Sequence, residues 1–121
     1  MKRIVTLVIL GMLWTSIGFT TPQWEPIDDY ALVDVNSIKS MTVDYDEVVK
    51  ATTKSPTKSG GYSLMTLMIN KDTKMWCSVT YESFDSEGTM IHRSINNPKD
   101  KSAWLDGINQ PSIDAILQRA N

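Results

Sequence analysis

The feature that most constrains this sequence is residues 62–95, where three runs rich in β-branched and aromatic residues are separated by two polar clusters. The runs are residues 62–70, 75–84 and 89–95, and the clusters KDTK and DSEG between them are rich in turn-forming residues. Runs of this composition joined by short connections are typical of consecutive β-hairpins. The segment therefore predicts a three-stranded antiparallel meander around which the rest of the chain folds.

The three runs differ in the faces that they are expected to bury. In residues 62–70 both alternating sets contain large apolar side chains, which predicts a central strand covered on both faces. In residues 75–84 the set that includes Cys77 is apolar and the other set is mostly polar, apart from Trp76 and Phe84. That strand is expected to be half-buried. Residues 89–95 are more polar and are predicted to lie near a sheet edge.

The chain begins with a basic pair, Lys2 and Arg3, followed by an uncharged and mostly apolar stretch over residues 4–19. This layout is typical of a secretory signal peptide, and residues 16–18 offer small side chains at the positions that a signal peptidase inspects. We therefore predict that residues 1–18 are a signal peptide and that the protein is exported to the periplasm, the cell surface or the medium. A retained membrane anchor is the alternative, although the stretch is shorter than the roughly 20 apolar residues that span a bilayer.

Size and charge limit what the mature chain can be. Removal of the first 18 of 121 residues leaves 103, the size of one small domain, so residues 19–121 are predicted to form a single domain. Cleavage removes two of the 12 basic residues while all 14 acidic residues remain, which leaves a net charge of −4. A mildly acidic domain with dispersed lysines lacks the basic surface of a nucleic-acid-binding protein. We expect neither a nucleic-acid partner nor a membrane span after cleavage.

The segment before the meander predicts two further strands. Residues 19–29 contain two prolines close together and predict an extended lead-in, with Trp24 laid across a sheet edge. Residues 30–35 follow as a short strand with Val33 on its buried face. Residues 38–46 are interpreted as a loop that enters a second strand over residues 43–54, and residues 55–61 as an exposed loop.

The C-terminal segment predicts a short amphipathic helix. Ser112 is a favourable N-cap residue, and Ile113, Ile116 and Leu117 recur at helical spacing. Because a helix of about nine residues is marginal in water by itself, this apolar stripe should dock onto the sheet.

No catalytic, cofactor-binding or metal site is expected from the spacing of the reactive residues. His92 and Cys77 are the only histidine and the only cysteine, so one chain cannot supply the ligands of a structural zinc site. Cys77 lies among apolar strand residues, where a thiol is usually a small buried hydrophobe. Calcium is a weaker alternative that would use carboxylates without EF-hand spacing: Asp28, Asp29, Asp44, Asp46 and Glu47.

The aromatic residues leave two interpretations open. They could form a ligand platform, or they could be core and edge packing, which is the commoner role; the set is Trp24, Trp76, Trp104, Tyr30, Tyr45, Tyr62 and Tyr81. Alternation along its strand places Trp76 opposite Cys77, so we expect Trp76 either beneath the terminal helix or on an exposed face.

Several short pieces of the chain occur in a distinctive order: an early Trp24, VDVNSI at residues 33–38, YSL at residues 62–64, the strand that holds Cys77, FDSEG at residues 84–88, and a closing Trp104, Ile108, Pro111, Ser112 and Ile116. In order and spacing they resemble the surface-adhesin protein E family, small exported bacterial proteins named for a member that attaches to host tissue. The resemblance implies an α+β fold, a single antiparallel β-sheet of about six strands with the C-terminal helix packed on one face. For the best-known member it implies attachment to host proteins such as vitronectin and laminin.

One departure from the family pattern concerns the cysteine. In the family the residue that matches Cys77 is commonly paired with a second cysteine in or near the C-terminal helix, whereas this sequence has no second cysteine. Such a bond typically contributes about 2–4 kcal/mol to stability. Here the helix must rely on apolar docking, and we expect Cys77 to be a buried free thiol, with pairing between two chains as the alternative.

Three hypotheses for function follow. The first is an exported, non-enzymatic binding protein whose sheet edges and residues 55–61 are the contact surfaces, since an exposed edge strand can pair with a strand of a partner. The second is a periplasmic or envelope structural protein without a host ligand. The third is an enzyme with His92 as general base.

Overall fold

The computed structural model describes residues 21–120, so the predicted signal peptide at residues 1–18 lies outside the described residues. Within that range the chain forms one antiparallel sheet and one C-terminal helix, which confirms the predicted α+β class. The elements are β1 (Trp24–Pro26), β2 (Leu32–Asp34), β3 (Lys39–Val43), β4 (Asp46–Pro56), β5 (Tyr62–Asn70), β6 (Met75–Phe84), β7 (Met90–Ile95), β8 (Trp104–Asp106) and α1 (Pro111–Arg119). No helix within residues 21–120 is long and apolar enough to cross a membrane.

The predicted meander is confirmed. Strands β5, β6 and β7 are consecutive antiparallel neighbours, joined by the two polar clusters. Strand β5 lies between β4 and β6 and buries side chains from both of its faces, as its two apolar sets require. Strand β7 lies at the edge, where all six of its residues are exposed.

The expected number of strands, about six, was wrong, because the sheet has eight. Six follow the order β1-β2-β4-β5-β6-β7, while β3 pairs with β4 and β8 pairs with β6. The physical reason is length: β4 has 11 residues and β6 has 10, whereas their outer neighbours β2 and β7 have three and six. The remainder of each long strand would leave backbone N–H and C=O groups unpaired, and a second short strand supplies their partners.

Between the short strands on each side, one further hydrogen bond pairs a backbone group of the long strand, in one case with a side chain and in the other with the main chain. On the outer side of β4, between β2 and β3, the Thr52 amide donates to the Ser37 hydroxyl at 2.9 Å. On the outer side of β6, between β7 and β8, the backbone amide of Asn96 donates to the carbonyl of Val79 at 2.9 Å. The two longest strands are therefore hydrogen-bonded along both edges.

Two segments before the meander that were not predicted as strands, an extended lead-in and a loop, belong to the sheet. Residues 24–26 pair with β2 as β1, and most of the predicted loop at residues 38–46 is β3, which forms a hairpin with β4. The hairpin turns at Asp44 and Tyr45, whose φ angles are 50° and 72°. Such a turn is usually built from Asn-Gly, so an Asp-Tyr pair carries no recognisable turn signal.

The predicted N-cap was also wrong. Helix α1 is capped by Gln110, without a side-chain hydrogen bond, and begins at Pro111. Proline is favoured at the first helical position because its fixed φ suits the helix and its missing N–H needs no partner. Ser112 is therefore the second helical residue rather than the cap.

Helix α1 packs on one face of the sheet, as predicted. Ile113 and Ile116 join a buried core cluster formed with side chains of β2, β4 and β5: Val33, Val49, Ala51, Leu67 and Ile69. Ion pairs also link the helix to its surroundings, Lys74 Nζ to Asp114 at 2.7 Å and Arg119 Nε to Glu25 at 3.0 Å. Partly exposed pairs of this kind contribute at most about 1 kcal/mol each, so apolar docking is the main attachment of the helix.

Candidate functional site

The outer edge of β7 is the most unusual surface of the sheet. Its backbone pairs with β6 on one side and with no strand of residues 21–120 on the other. Large apolar side chains are exposed along it, Ile91 at 64% and Ile95 at 63%, together with Met90. Natural edge strands are commonly protected by lysine, proline or inward-pointing charge, and β7 contains no lysine, proline or acidic residue. Its protective features are Arg93, whose charge is paired with Glu82 of β6, and a bulge at Ile91, which leaves the pairing from His92 to Ile95 regular.

The opposite edge of the sheet is protected. It consists of β1, which has only three residues and ends in Pro26, and of β3, which begins with Lys39. Short length, proline and lysine are all features that discourage a further strand from pairing. The two edges therefore differ in kind, and β7 is the one open to strand addition.

The other predicted contact surface, residues 55–61, is smaller than expected. Strand β4 continues to Pro56, and the remaining residues form a turn in which the Thr57 amide donates to the Gly61 carbonyl at 3.0 Å and the Gly60 amide donates to the Thr57 carbonyl at 3.1 Å. A hydrogen-bonded turn of this size offers little area for a partner.

Two of the candidate platform aromatics lie on the sheet face opposite α1, in a row with Lys54 and Phe84. The ammonium of Lys54 lies 5.6 Å from the ring centroid of Trp24 and 4.7 Å from that of Tyr62. Tyr62 in turn stacks on Phe84, with centroids 4.8 Å apart. Because cation–π and stacking contacts within the chain already occupy these rings, the row acts as packing rather than as an open platform.

The remaining aromatics are dispersed. Trp76 packs against the core cluster beneath α1, which decides between the two positions expected for it, and its buried indole N–H has no hydrogen-bond partner in residues 21–120. Tyr30 and Tyr45 are exposed in turns. Trp104 belongs to β8 and pairs with Cys77, and its indole N–H donates to the Pro98 carbonyl at 2.8 Å. No aromatic cluster spans the surface that the structure describes.

A groove of about 390 Å³ opens on the sheet face opposite α1, at the end of β6 away from its pairing with β7. The β3–β4 turn borders it on one side and the loop at residues 98–101 borders it on the other. Its lining includes Asp44 and Asp46, which the sequence singled out, and Lys99 and Lys101, which it did not. The sequence around these lysines does not distinguish them from other surface lysines, because only the folded structure shows that they lie across a groove from two carboxylates.

His92 and Cys77 are not brought together. His92 is exposed on β7 and pairs with Ser83, which is six residues along β6 from Cys77 and has its side chain on the other face of the sheet. At about 3.3 Å per residue the two lie roughly 20 Å apart, so they do not form a nucleophile–base pair. The nearest aromatic ring to His92 is that of Tyr81, with centroids 6.3 Å apart.

The carboxylates weighed for calcium do not form one cluster, although Asp44 and Asp46 line the same groove. Asp28 accepts a hydrogen bond from the Tyr30 amide at 2.7 Å, and Glu47 lies 3.8 Å from the ammonium of Lys71. Over residues 21–120, no three histidine, cysteine or acidic side chains are placed to hold a metal ion.

Cys77 is a free thiol, fully buried. Burial raises the pKa of Cys77, and the negative charge of Asp100 adds to the shift.

We expect the thiol of Cys77 in the native protein to react with a disulfide reagent at least about a hundredfold more slowly than in the unfolded chain, because the reaction requires both a thiolate and access to it. Absorbance of the released thiol, with and without denaturant, measures the ratio, and similar rates in both states would contradict burial.

The same shift predicts how stability depends on pH. Because the pKa of the folded thiol lies above its ordinary value of about 8.5, deprotonation favours the unfolded chain. The contribution of the Cys77 thiol to the free energy of unfolding is therefore complete below about pH 8, and it is lost as the pH rises through the pKa of the folded state. A Cys77→Ala variant should lack this alkaline decrease.

In comparisons with known proteins, no protein-family model, no curated protein and no solved structure matches the chain. The arguments for function therefore rest on the geometry described above. The resemblance to the surface-adhesin protein E family stays a prediction, and the open β7 edge is the feature on which a function can be argued.

Proposed function

We propose that this protein is an exported, non-enzymatic binding protein that attaches to extracellular host proteins by pairing an extended segment of the partner with β7. The observation that carries the proposal is the contrast between the two sheet edges: one is protected by short strands, Pro26 and Lys39, and the other is a longer strand, unpaired on its outer side within residues 21–120, with exposed isoleucines. Main-chain hydrogen bonds along such an edge supply affinity, and alternate side chains supply specificity. The predicted export and the resemblance to an adhesin family support the same conclusion.

The side chains around β7 define the kind of segment that fits. On the face opposite α1, Ile95 is exposed beside Arg93, whose charge is already matched by Glu82 at 3.6 Å. On the other face Tyr81 and His92 lie together. A partner strand should therefore carry apolar residues on one face and polar or aromatic residues on the other.

An Ile95→Lys variant tests the edge. We expect its dissociation constant for the partner to rise by about tenfold or more, which corresponds to roughly 1.4 kcal/mol, because lysine on an edge opposes strand pairing and removes apolar contact. The free energy of unfolding should change by no more than about 0.5 kcal/mol, since the side chain is largely exposed. Binding of the protein, purified after expression of the full chain, to immobilised vitronectin, laminin and other extracellular proteins measures the effect.

Ile108→Lys is the matched control. Ile108 is 56% exposed, similar to Ile95, but it lies in the connection between β8 and α1. Equal losses in the two variants would refute strand addition at β7. If the unmodified protein binds no extracellular protein, the periplasmic or envelope structural role becomes the better hypothesis.

A further inference from the structure

The groove beside the β3–β4 turn is independent of the β7 edge and has the construction of a small-ligand site. Its volume of about 390 Å³ lies within the range of roughly 300–1,000 Å³ typical of ligand pockets. Val43, Val48, Met75 and Trp104 contribute apolar surface to it. Beneath this surface Cys77 and Met68 are buried on the same face of the sheet, so the base of the groove is packed.

The groove has walls of opposite charge. Asp44 and Asp46 belong to the β3–β4 hairpin, on one side of β5, whereas Lys99 and Lys101 belong to the loop before β8, on the other side. None of the four forms an ion pair within residues 21–120, where the ion pairs involve other side chains. Four charges thus face one apolar cleft without a partner in the described chain.

Asp100 does not neutralise the lysine wall by direct contact. Its carboxylate accepts hydrogen bonds from the amide of Ser102 at 3.0 Å and from the hydroxyl of Ser102 at 2.7 Å. These bonds turn the carboxylate toward its own loop, as a cap on the short 3-10 turn at Lys101–Ala103. Two lysines and one aspartate leave this wall with a net charge of +1, which favours an anion in the groove.

The distance between the walls limits the length of a ligand. Strands β4 and β8 are separated by β5 and β6, which gives three interstrand spacings, or about 14 Å. The aspartate and lysine side chains line the groove from its two walls, so their charged groups are closer together than the strands that carry them. Three residues of extended peptide span about 10 Å, so a tripeptide places its two termini at the two walls.

We infer that this groove binds a short apolar peptide with free ends, its amino group at Asp44 and Asp46, its carboxylate at Lys99 and Lys101, and an apolar side chain against Trp104. Each terminus exchanges water for charge-assisted hydrogen bonds, which are the stronger class of polar contact. The apolar base favours aliphatic side chains over charged ones.

The test is a calorimetric titration of the whole purified protein with three probes: trileucine with free ends, N-acetyl-trileucine and trileucine amide. Free trileucine should bind most tightly, and blocking either end should raise the dissociation constant by about tenfold or more. In the nuclear magnetic resonance spectrum the indole N–H of Trp104 should shift on addition of free trileucine. Equal affinity for the three probes, no binding, or an unchanged Trp104 resonance would overturn the inference.

Two double variants assign the termini. Asp44→Asn with Asp46→Asn should abolish the preference for a free amino group and keep the preference for a free carboxylate, while Lys99→Gln with Lys101→Gln should do the reverse. Asp72→Asn with Lys58→Gln, two exposed charges outside the groove, is the control and should bind like the unmodified protein. A general loss of affinity in both variants, without these opposite changes in preference, would also overturn the inference.

The result is separable from the proposed function. Ile95→Lys should leave trileucine binding unchanged, because β7 pairs with the other end of β6.

Discussion

Replacement of Ile116 by alanine is expected to lower the free energy of unfolding by about 2–5 kcal/mol. Ile116 is 1% exposed and belongs to the core cluster that joins α1 to the sheet. Removing its side chain beyond Cβ deletes buried methyl and methylene groups and leaves a cavity that the rigid sheet cannot collapse to fill. Because domains of this size are stable by only about 5–15 kcal/mol, the loss is a large share of the total.

Gln118→Ala is the matched control on the same helix. Gln118 is exposed, so its replacement should change the free energy of unfolding by no more than about 0.5 kcal/mol. Urea unfolding followed by circular dichroism measures both variants. A loss below about 1 kcal/mol for Ile116→Ala would mean that α1 is not held by apolar docking, contrary to the packing described above.

Replacement of Gly61 by alanine is expected to cost about 1–3 kcal/mol or more, the range of severe overpacking. A Cβ atom at this position would overlap the carbonyl oxygen of Phe84 and lie 2.9 Å from the carbonyl carbon of Asp85. Both obstacles are backbone atoms at the end of β6, so no side-chain rotation relieves them. The strand ends must separate, which should also weaken the stacking of Tyr62 on Phe84.

Gly88→Ala separates this contact from a conformational effect. Gly88 has a φ of 84°, but a Cβ atom there meets no heavy atom within 4 Å. Its replacement should therefore cost only the strain of a left-handed residue, about 1–2 kcal/mol. Urea unfolding, together with the near-ultraviolet circular dichroism of the aromatic residues, distinguishes the Gly61→Ala variant from the Gly88→Ala variant. A loss of near-ultraviolet signal in Gly88→Ala but not in Gly61→Ala would contradict the contact argument.

The parts of the fold that could be predicted are those indicated by local sequence patterns, namely the alternation of apolar residues and clusters of turn-forming residues. Strands β5 and β6 are long, and turn-forming clusters bound them, so alternation and turns agree on the same boundaries. The stripe of Ile113 and Ile116 identified the docking face of α1, although the start of the helix was misplaced by the choice of Ser112 over Pro111. Cys77 was correctly expected to be buried, because its strand neighbours at alternate positions are apolar.

The short strands could not be predicted for a physical reason. Three residues of β1 or β8 contain too little alternation to favour a strand, and β3 turns into β4 through Asp44 and Tyr45 without glycine. These segments are strands because the long strands β4 and β6 present backbone groups that need partners. That requirement arises only after the central strands have paired.

The candidate sites divide in the same way. By itself the sequence determined that residues 89–95 lie near an edge, since polarity and alternation are local properties, and it singled out Asp44 and Asp46 only as candidate calcium ligands. Only the tertiary structure decided that this edge is the unprotected one, that Lys99 and Lys101 face the two carboxylates across a groove, and that Trp76 lies beneath α1. Edges, clefts and facing charges are set by which strands pair over long sequence separations, and no short window of residues contains that information.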